Sequence, residues 1–121
     1  MVLNTMPQFQ NMLKQITTEE FEMKVTESKL LSLVKFKTKW SGVCQIIEPL
    51  YKELSLTYRG VANFFIVDTE HNNRLAKRFA IMELPTILLL KNGDVIDHTI
   101  SLTSKQLLIE KIELALSHNI D

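Results

Sequence analysis

The stretch Lys37-Thr38-Lys39-Trp40-Ser41-Gly42-Val43-Cys44 joins an apolar run, Leu30 to Phe36, to a helical pattern, Cys44 to Tyr58. We therefore predict that a strand ends just before this loop and that a helix begins at its end. Functional sites are common at such a turn, because unpaired N–H groups and the positive end of the helix dipole lie together there. The loop carries Ser41 and, three residues later, the only cysteine of the chain.

The composition indicates one globular domain without a nucleic-acid or membrane surface. The chain has 121 residues and a formal net charge of zero, from 14 basic and 14 acidic side chains. Binding to nucleic acid or to an anionic membrane favours a basic excess, which is missing here. Residues 1–13 lack the features of a signal peptide, and apolar runs such as Ile87–Leu90 are too short to span a membrane. A lone cysteine fits a reducing compartment, so we expect a cytoplasmic protein.

Strand and helix patterns alternate along the rest of the chain. The predicted elements are a strand closing at residue 16, a short helix before residue 28, strands at 30–37, 61–68, 86–90 and 95–100, helices at 44–58 and 69–79, and a last helix that follows residue 104 and ends near 118. Alternating units require parallel strands, whereas Lys91-Asn92-Gly93-Asp94 predicts a hairpin that adds an antiparallel strand. Phe64, Phe65 and the leucines of the last helix are expected in the core.

This pattern predicts an α/β fold with a central mixed sheet of four to five strands and helices on both faces. Residues 1–12 are expected to form an N-terminal arm or a short leading helix, and residues 13–121 a single domain.

The spaced segments resemble the thioredoxin family over roughly residues 16–118. The family motif W-C-G-P-C corresponds to Trp40-Ser41-Gly42-Val43-Cys44, and Leu84-Pro85-Thr86 matches the region of the family's cis-proline. Val67-Asp68 and Lys91-Asn92-Gly93 match further family positions in the same order. The resemblance implies the thioredoxin fold and a relation to thiol-disulfide oxidoreductases and cell redox homeostasis.

The chain departs from the family at the reacting positions. Ser41 replaces the first cysteine, which in the family is the nucleophile, and a serine cannot form a disulfide. Cys44 corresponds to the resolving thiol, and Val43 replaces the motif proline. The family's dithiol cycle therefore cannot run in this chain alone. At most, the resemblance implies monothiol chemistry at Cys44, such as a mixed disulfide or a glutathione adduct; the alternative is an inert, buried thiol.

A lysine stands where the family commonly has a buried aspartate beneath the second cysteine. Lys35 lies on the same strand face as Leu31 and Leu33, so it either extends to an edge or is buried. Glu48 follows Cys44 by one helical turn on the same face. We therefore expect Lys35 and Glu48 to form an ion pair beneath the motif, the alternative being that each reaches solvent separately.

The resemblance also implies a groove for an extended segment of a partner protein. Pro85 is expected to be cis and to expose the backbone of Leu84 for pairing with a peptide. Trp40 would form an apolar lip, and the loop 100–102, with Ser101, would close the groove. This gives a second reading of the chain as a redox-inactive peptide- or protein-binding module. Positive charge near the motif would suit an acidic or anionic partner.

Neither a metal nor a cofactor is predicted. His71, His98 and His118 show no Ser–His or His–His spacing, so we expect all three at the surface. Ser41 has no base near it in sequence, which argues against a hydrolase. We expect Ser41 to cap the helix or to donate a hydrogen bond to the Cys44 sulfur.

Overall fold

A computed structural model describes residues 13–101 and 103–117. The predictions for residues 1–12, for position 102 and for His118 lie outside these ranges. The elements are β1 (Leu13–Gln15), α1 (Thr18–Phe21) with a following π-helical turn (Glu22–Thr26), β2 (Leu31–Lys37), α2 (Gly42–Thr57), β3 (Ala62–Asp68), α3 (Asn73–Arg78), β4 (Thr86–Lys91), β5 (Asp94–Ile100) and α4 (Lys105–Ser117).

The strands of the described residues form one five-stranded mixed sheet in the order β1-β3-β2-β4-β5. β3 pairs in parallel with β1 and β2, whereas β4 runs antiparallel to β2 and β5. The β4–β5 hairpin turns at Asn92 and Gly93, which adopt φ values of 54° and 85°. Asn and Gly tolerate this left-handed backbone better than other residues. The predicted mixed sheet and its closing hairpin are therefore confirmed.

Helices cover both faces of the sheet. One face packs under α2 and α4, where Leu33, Tyr51 and Ile112 belong to the same apolar cluster. The other face packs under α1 and α3, with Val34 and Leu75 in a second cluster. Because successive residues of a strand point to opposite faces, β2 supplies both clusters and lies fully between the two helical layers. Of the helices in the described ranges, none has the length and apolar character needed to span a membrane.

The helix predicted at 69–79 is shorter than expected and spans Asn73–Arg78. Before it, the Asp68 carboxylate accepts a hydrogen bond from the Glu70 N–H. The Asn72 side chain donates to the Asp68 carbonyl and accepts from the Thr18 N–H. Such bonds between side chains and backbone compete with helical hydrogen bonds. The helix therefore begins only after Asn72.

The prediction that all leucines of the last helix belong to the core is wrong for two of them. Leu107 and Leu114 are 43% and 66% exposed. The buried stripe of α4 consists of Leu108, Ile112 and Ala115 instead. These residues are spaced by four and three positions, as one face of a helix requires.

Candidate functional site

The motif loop lies between the end of β2 and the first turn of α2. Ser41 precedes the helix with an extended backbone, and its Oγ accepts a hydrogen bond from the Cys44 N–H at 3.3 Å. This contact satisfies one of the free N–H groups at the helix start, which is the normal role of a capping serine. The helix therefore begins at Gly42, two residues earlier than predicted. Gly42 is exposed and Val43 is half-buried in the same turn.

Cys44 is a free thiol held on the side of α2 that faces the sheet. Its exposed fraction is 3%, and Ile47 and Tyr51, three and seven residues further on, are also buried. Even so, Cys44 reaches a small surface cavity of about 170 Å³. This Cys44 cavity is lined by Lys37, Thr38, Lys39, Cys44, Gln45 and Glu48.

Lys35 is fully buried beneath the motif, with an exposed fraction of 0%. Its Nζ lies 4.8 Å from the centre of the Tyr51 ring and has no hydrogen-bond partner within the described part of the chain. Burial lowers the pKa of Lys35, nearby Glu48 opposes this effect, Lys37 adds to it and Cys44 opposes it. An amine without a partner in an apolar layer favours its neutral form.

The predicted ion pair is wrong, and of the two alternatives for Lys35 the buried position is the one observed. Glu48 is exposed, and it forms no ion pair with Lys35. The reason is the packing of side chains between β2 and α2. Tyr51 occupies the helix face above Lys35, so the lysine lies over the aromatic ring and not beside the carboxylate of Glu48.

Tyr51 is a buried polar residue that the sequence pattern did not single out. Its hydroxyl oxygen lies 3.0 and 2.8 Å from the carbonyl oxygens of Leu33 and Phe65, and its one proton is shared between these two acceptors. Burial raises the pKa of Tyr51 well above its usual value, so the hydroxyl stays protonated. In sequence it resembles any other member of the apolar stripe of α2, and only its contacts reveal that it joins the helix to two strands.

The Leu84–Pro85 peptide bond is cis. Pro85 is buried, and its carbonyl accepts a hydrogen bond from the Ser101 N–H at 2.8 Å. Thr86 donates its hydroxyl to the Glu83 carbonyl at 2.6 Å. Within residues 13–101 and 103–117, neither the N–H nor the C=O of half-buried Leu84 has a hydrogen-bond partner. Its backbone therefore keeps a free donor and a free acceptor.

Trp40 lies on the surface with 74% of its side chain exposed. Its indole Nε1 donates to the Glu70 carboxylate at 2.6 Å, and Lys39 Nζ lies 5.1 Å from the ring centre. Glu70 lines one cavity with Leu84 and with Met82, which is 90% exposed. We call Trp40, Glu70, Met82 and Leu84 the Trp40–Leu84 surface. Glu70 and Met82 were not recognised as site residues, because their link to Trp40 depends on contacts between residues 30 or more positions apart in the chain.

One cluster of side chains in the described ranges lies close enough together to hold a metal ion. The ligand atoms of Asp68, Glu70 and His71 lie within 4.8 Å of one another. The two carboxylates already accept hydrogen bonds, from the Glu70 N–H and from the Trp40 indole respectively. They thereby fix the turn that holds Trp40. His71 and His98 are both exposed, as predicted.

The five-stranded mixed sheet, the helix that starts in a Trp-Ser-Gly-Val-Cys loop and the cis bond before Pro85 define a protein of the thioredoxin-fold class. A sequence model of the family described as Thioredoxin matches residues 12–114. The chain is 34% identical over 98 residues to a thioredoxin of Staphylococcus saprophyticus, covering 75% of this chain and 94% of that protein. It is 30% identical over 98 residues to a thioredoxin of Staphylococcus aureus, covering 81% and 92%.

The chain therefore belongs to the thioredoxin family, and the resemblance drawn from its motifs is confirmed. Membership relates it to thiol-disulfide oxidoreductases. A shared fold does not by itself fix the activity, which depends on the groups at the site. Here those groups are one buried thiol and one capping serine.

Proposed function

We propose that this chain carries out monothiol exchange at Cys44, forming a reversible mixed disulfide. The observation that supports this most directly is the cavity that reaches Cys44 although the residue is only 3% exposed. In this reaction the Cys44 thiolate attacks one sulfur of a disulfide, and the other half leaves as a thiolate. Ser41 cannot displace the adduct, so an external thiol must release it.

Positively charged groups lie close to Cys44. The residue lies in the first turn of α2, where the positive end of the helix dipole stabilises anions. Lys37 and Lys39 line the same cavity. A free cysteine persists in a reducing compartment, and we infer the cytoplasm as the place of action.

The test is adduct formation by the native protein with bis(2-hydroxyethyl) disulfide, a small neutral probe, followed by intact mass. We expect one adduct per chain, released by dithiothreitol and missing in Cys44→Ala. The denatured protein serves as the positive control for a reactive thiol. If adducts form only after denaturation, Cys44 is an inert core residue and the proposal is wrong.

A second candidate function is a redox-inactive module that holds an extended segment of another protein. It is supported by the Trp40–Leu84 surface, where exposed Met82 lines one cavity with Leu84 and with Glu70, the residue that binds the exposed Trp40. Among the described residues, the Leu84 backbone has no hydrogen-bond partner. An extended peptide could add hydrogen bonds to Leu84 and bury the apolar side chains beside it. Exposed aromatic residues of this kind often contribute most of the binding free energy at an interface.

This second function can be tested without any thiol. Peptides would be selected from a cysteine-free, phage-displayed library on the Cys44→Ala protein. Trp40→Ala is expected to weaken the binding of the selected peptides by about tenfold or more, since loss of a hot-spot residue typically costs about 2 kcal/mol or more. Ile46→Ala is the matched control, because Ile46 is similarly exposed at 64%. Equal losses from both variants would contradict the proposed surface.

A further inference from the structure

The Cys44 cavity and the Trp40–Leu84 surface have no residue in common, although Lys39 of the cavity lies against the Trp40 ring. Its walls come from the end of β2, the motif loop and the first turns of α2. The cavity at Met82 and Leu84 is lined by a different set of residues, with none in common. Cys44 is therefore reached from a cavity whose lining contains none of the four residues expected to hold a peptide.

The size of the cavity restricts what can reach the sulfur. Its volume of about 170 Å³ lies well below the roughly 300–1,000 Å³ of typical ligand pockets. A disulfide with arms of two or three carbon atoms suits such a space. An extended peptide backbone with side chains needs a longer groove, such as the Trp40–Leu84 surface offers.

The charge around the cavity is mainly positive. Lys37 and Lys39 line it, and Lys35 lies buried within electrostatic reach of Cys44 and Lys37. In the part of the chain that the structure describes, none of these three lysines forms an ion pair with a carboxylate. Glu48 is the only acidic residue of the lining. The two lysines of the lining against this one carboxylate favour the approach of a negatively charged molecule.

We infer that Cys44 exchanges preferentially with small anionic disulfides, whose carboxylate arms the cavity lysines attract. This inference rests on the proposed monothiol exchange and adds its substrate class. The S–S bond of the disulfide breaks, a new S–S bond to Cys44 forms, and one carboxylate-bearing thiolate leaves. The disulfide itself is the oxidant, so no further reagent is needed.

Three disulfides with arms of two or three carbon atoms differ in charge but little in size. The probe 3,3′-dithiodipropionate carries two negative charges, bis(2-hydroxyethyl) disulfide is neutral, and cystamine carries two positive charges. Each rate with the native protein is divided by the rate with a short unstructured cysteine peptide, which removes differences in intrinsic reactivity. We expect the normalised rate of the dianion to exceed that of the dication by about tenfold at low salt, which is within the range known for electrostatic steering. The ratio should shrink as ionic strength rises.

Variants of the cavity lysines test where the selectivity arises. Lys37→Met and Lys39→Met are each expected to reduce the preference for the dianion by about two- to fivefold, in line with charge interactions screened by water. Lys77→Met is the matched control, because Lys77 is an exposed lysine on α3 that does not line the cavity.

The possible results separate the anion preference from monothiol exchange at Cys44, on which it rests. Equal normalised rates for all three probes would overturn the anion preference while leaving monothiol exchange in place. A preference that survives both cavity variants would overturn the role of the lysines. Failure of every disulfide to form an adduct with the native protein would instead reject monothiol exchange itself.

Discussion

Ser41→Cys is expected to turn this chain into an active disulfide reductase. We expect at least about a hundredfold rise in turnover over the wild-type chain, since an absent nucleophile commonly costs an enzyme several orders of magnitude. The new thiol would stand at the residue before α2, where the Ser41 hydroxyl already lies 3.3 Å from the Cys44 N–H. Both thiols would then belong to one helix start, as a dithiol motif requires. Reduction of insulin by dithiothreitol measures the gain.

The double variant Ser41→Cys/Cys44→Ala is the control for this gain of function. It keeps the new thiol but lacks the residue that would resolve the mixed disulfide, so turnover should fall back to the wild-type level. Losing the serine cap should cost about 1 kcal/mol of stability in both variants, which makes them a matched pair. If Ser41→Cys stays inactive, the changes at Val43 and Lys35 have also disabled the scaffold.

Lys35→Met is expected to stabilise the protein by about 1–3 kcal/mol at neutral pH, the usual cost of a buried polar group that lacks a hydrogen bond. Lys35 is fully buried, and its amine has no hydrogen-bond partner among the described residues, so folding removes the amine from water with little in return. Its contact with the Tyr51 ring offsets only part of this cost. Urea unfolding monitored by circular dichroism measures the difference.

The pH dependence of the same variant follows from the lowered pKa of Lys35. In the folded state the amine binds a proton less tightly than in the unfolded chain, where the pKa of Lys35 is near 10.5. Wild-type stability therefore rises as pH increases from the lowered folded value towards 10.5, because the unfolded state binds more protons in that window. The advantage of Lys35→Met should shrink over the same window and remain constant below it.

Lys37→Met is the control for this prediction, because Lys37 lies two residues further along the same strand and is only half-buried. Its effect on stability should stay within about 0.5 kcal/mol, as is usual for surface substitutions. If Lys35→Met destabilises the protein while Lys37→Met does not, then Lys35 has a partner in solution, such as a bound anion.

The order of the elements was predictable because it depends on local spacing. Apolar residues at strand and helix periods predicted the elements of the described ranges, and Asn92-Gly93 predicted the hairpin. The loss of the nucleophile was equally clear, since it follows from the identity of Ser41 alone. The length of α3 was not predictable, because the bonds of Asn72 to Asp68 and Thr18 depend on how the chain folds back.

The sequence by itself determined the thioredoxin fold, the single thiol and the absence of a dithiol cycle, because each follows from residue identity and short-range spacing. The tertiary structure decided the environment of that thiol. It placed Lys35 against Tyr51 and away from Glu48, fixed the Trp40 indole on Glu70, and opened a small lysine-lined cavity at Cys44. These features depend on packing between segments far apart in the chain, where shape and burial determine which charges meet.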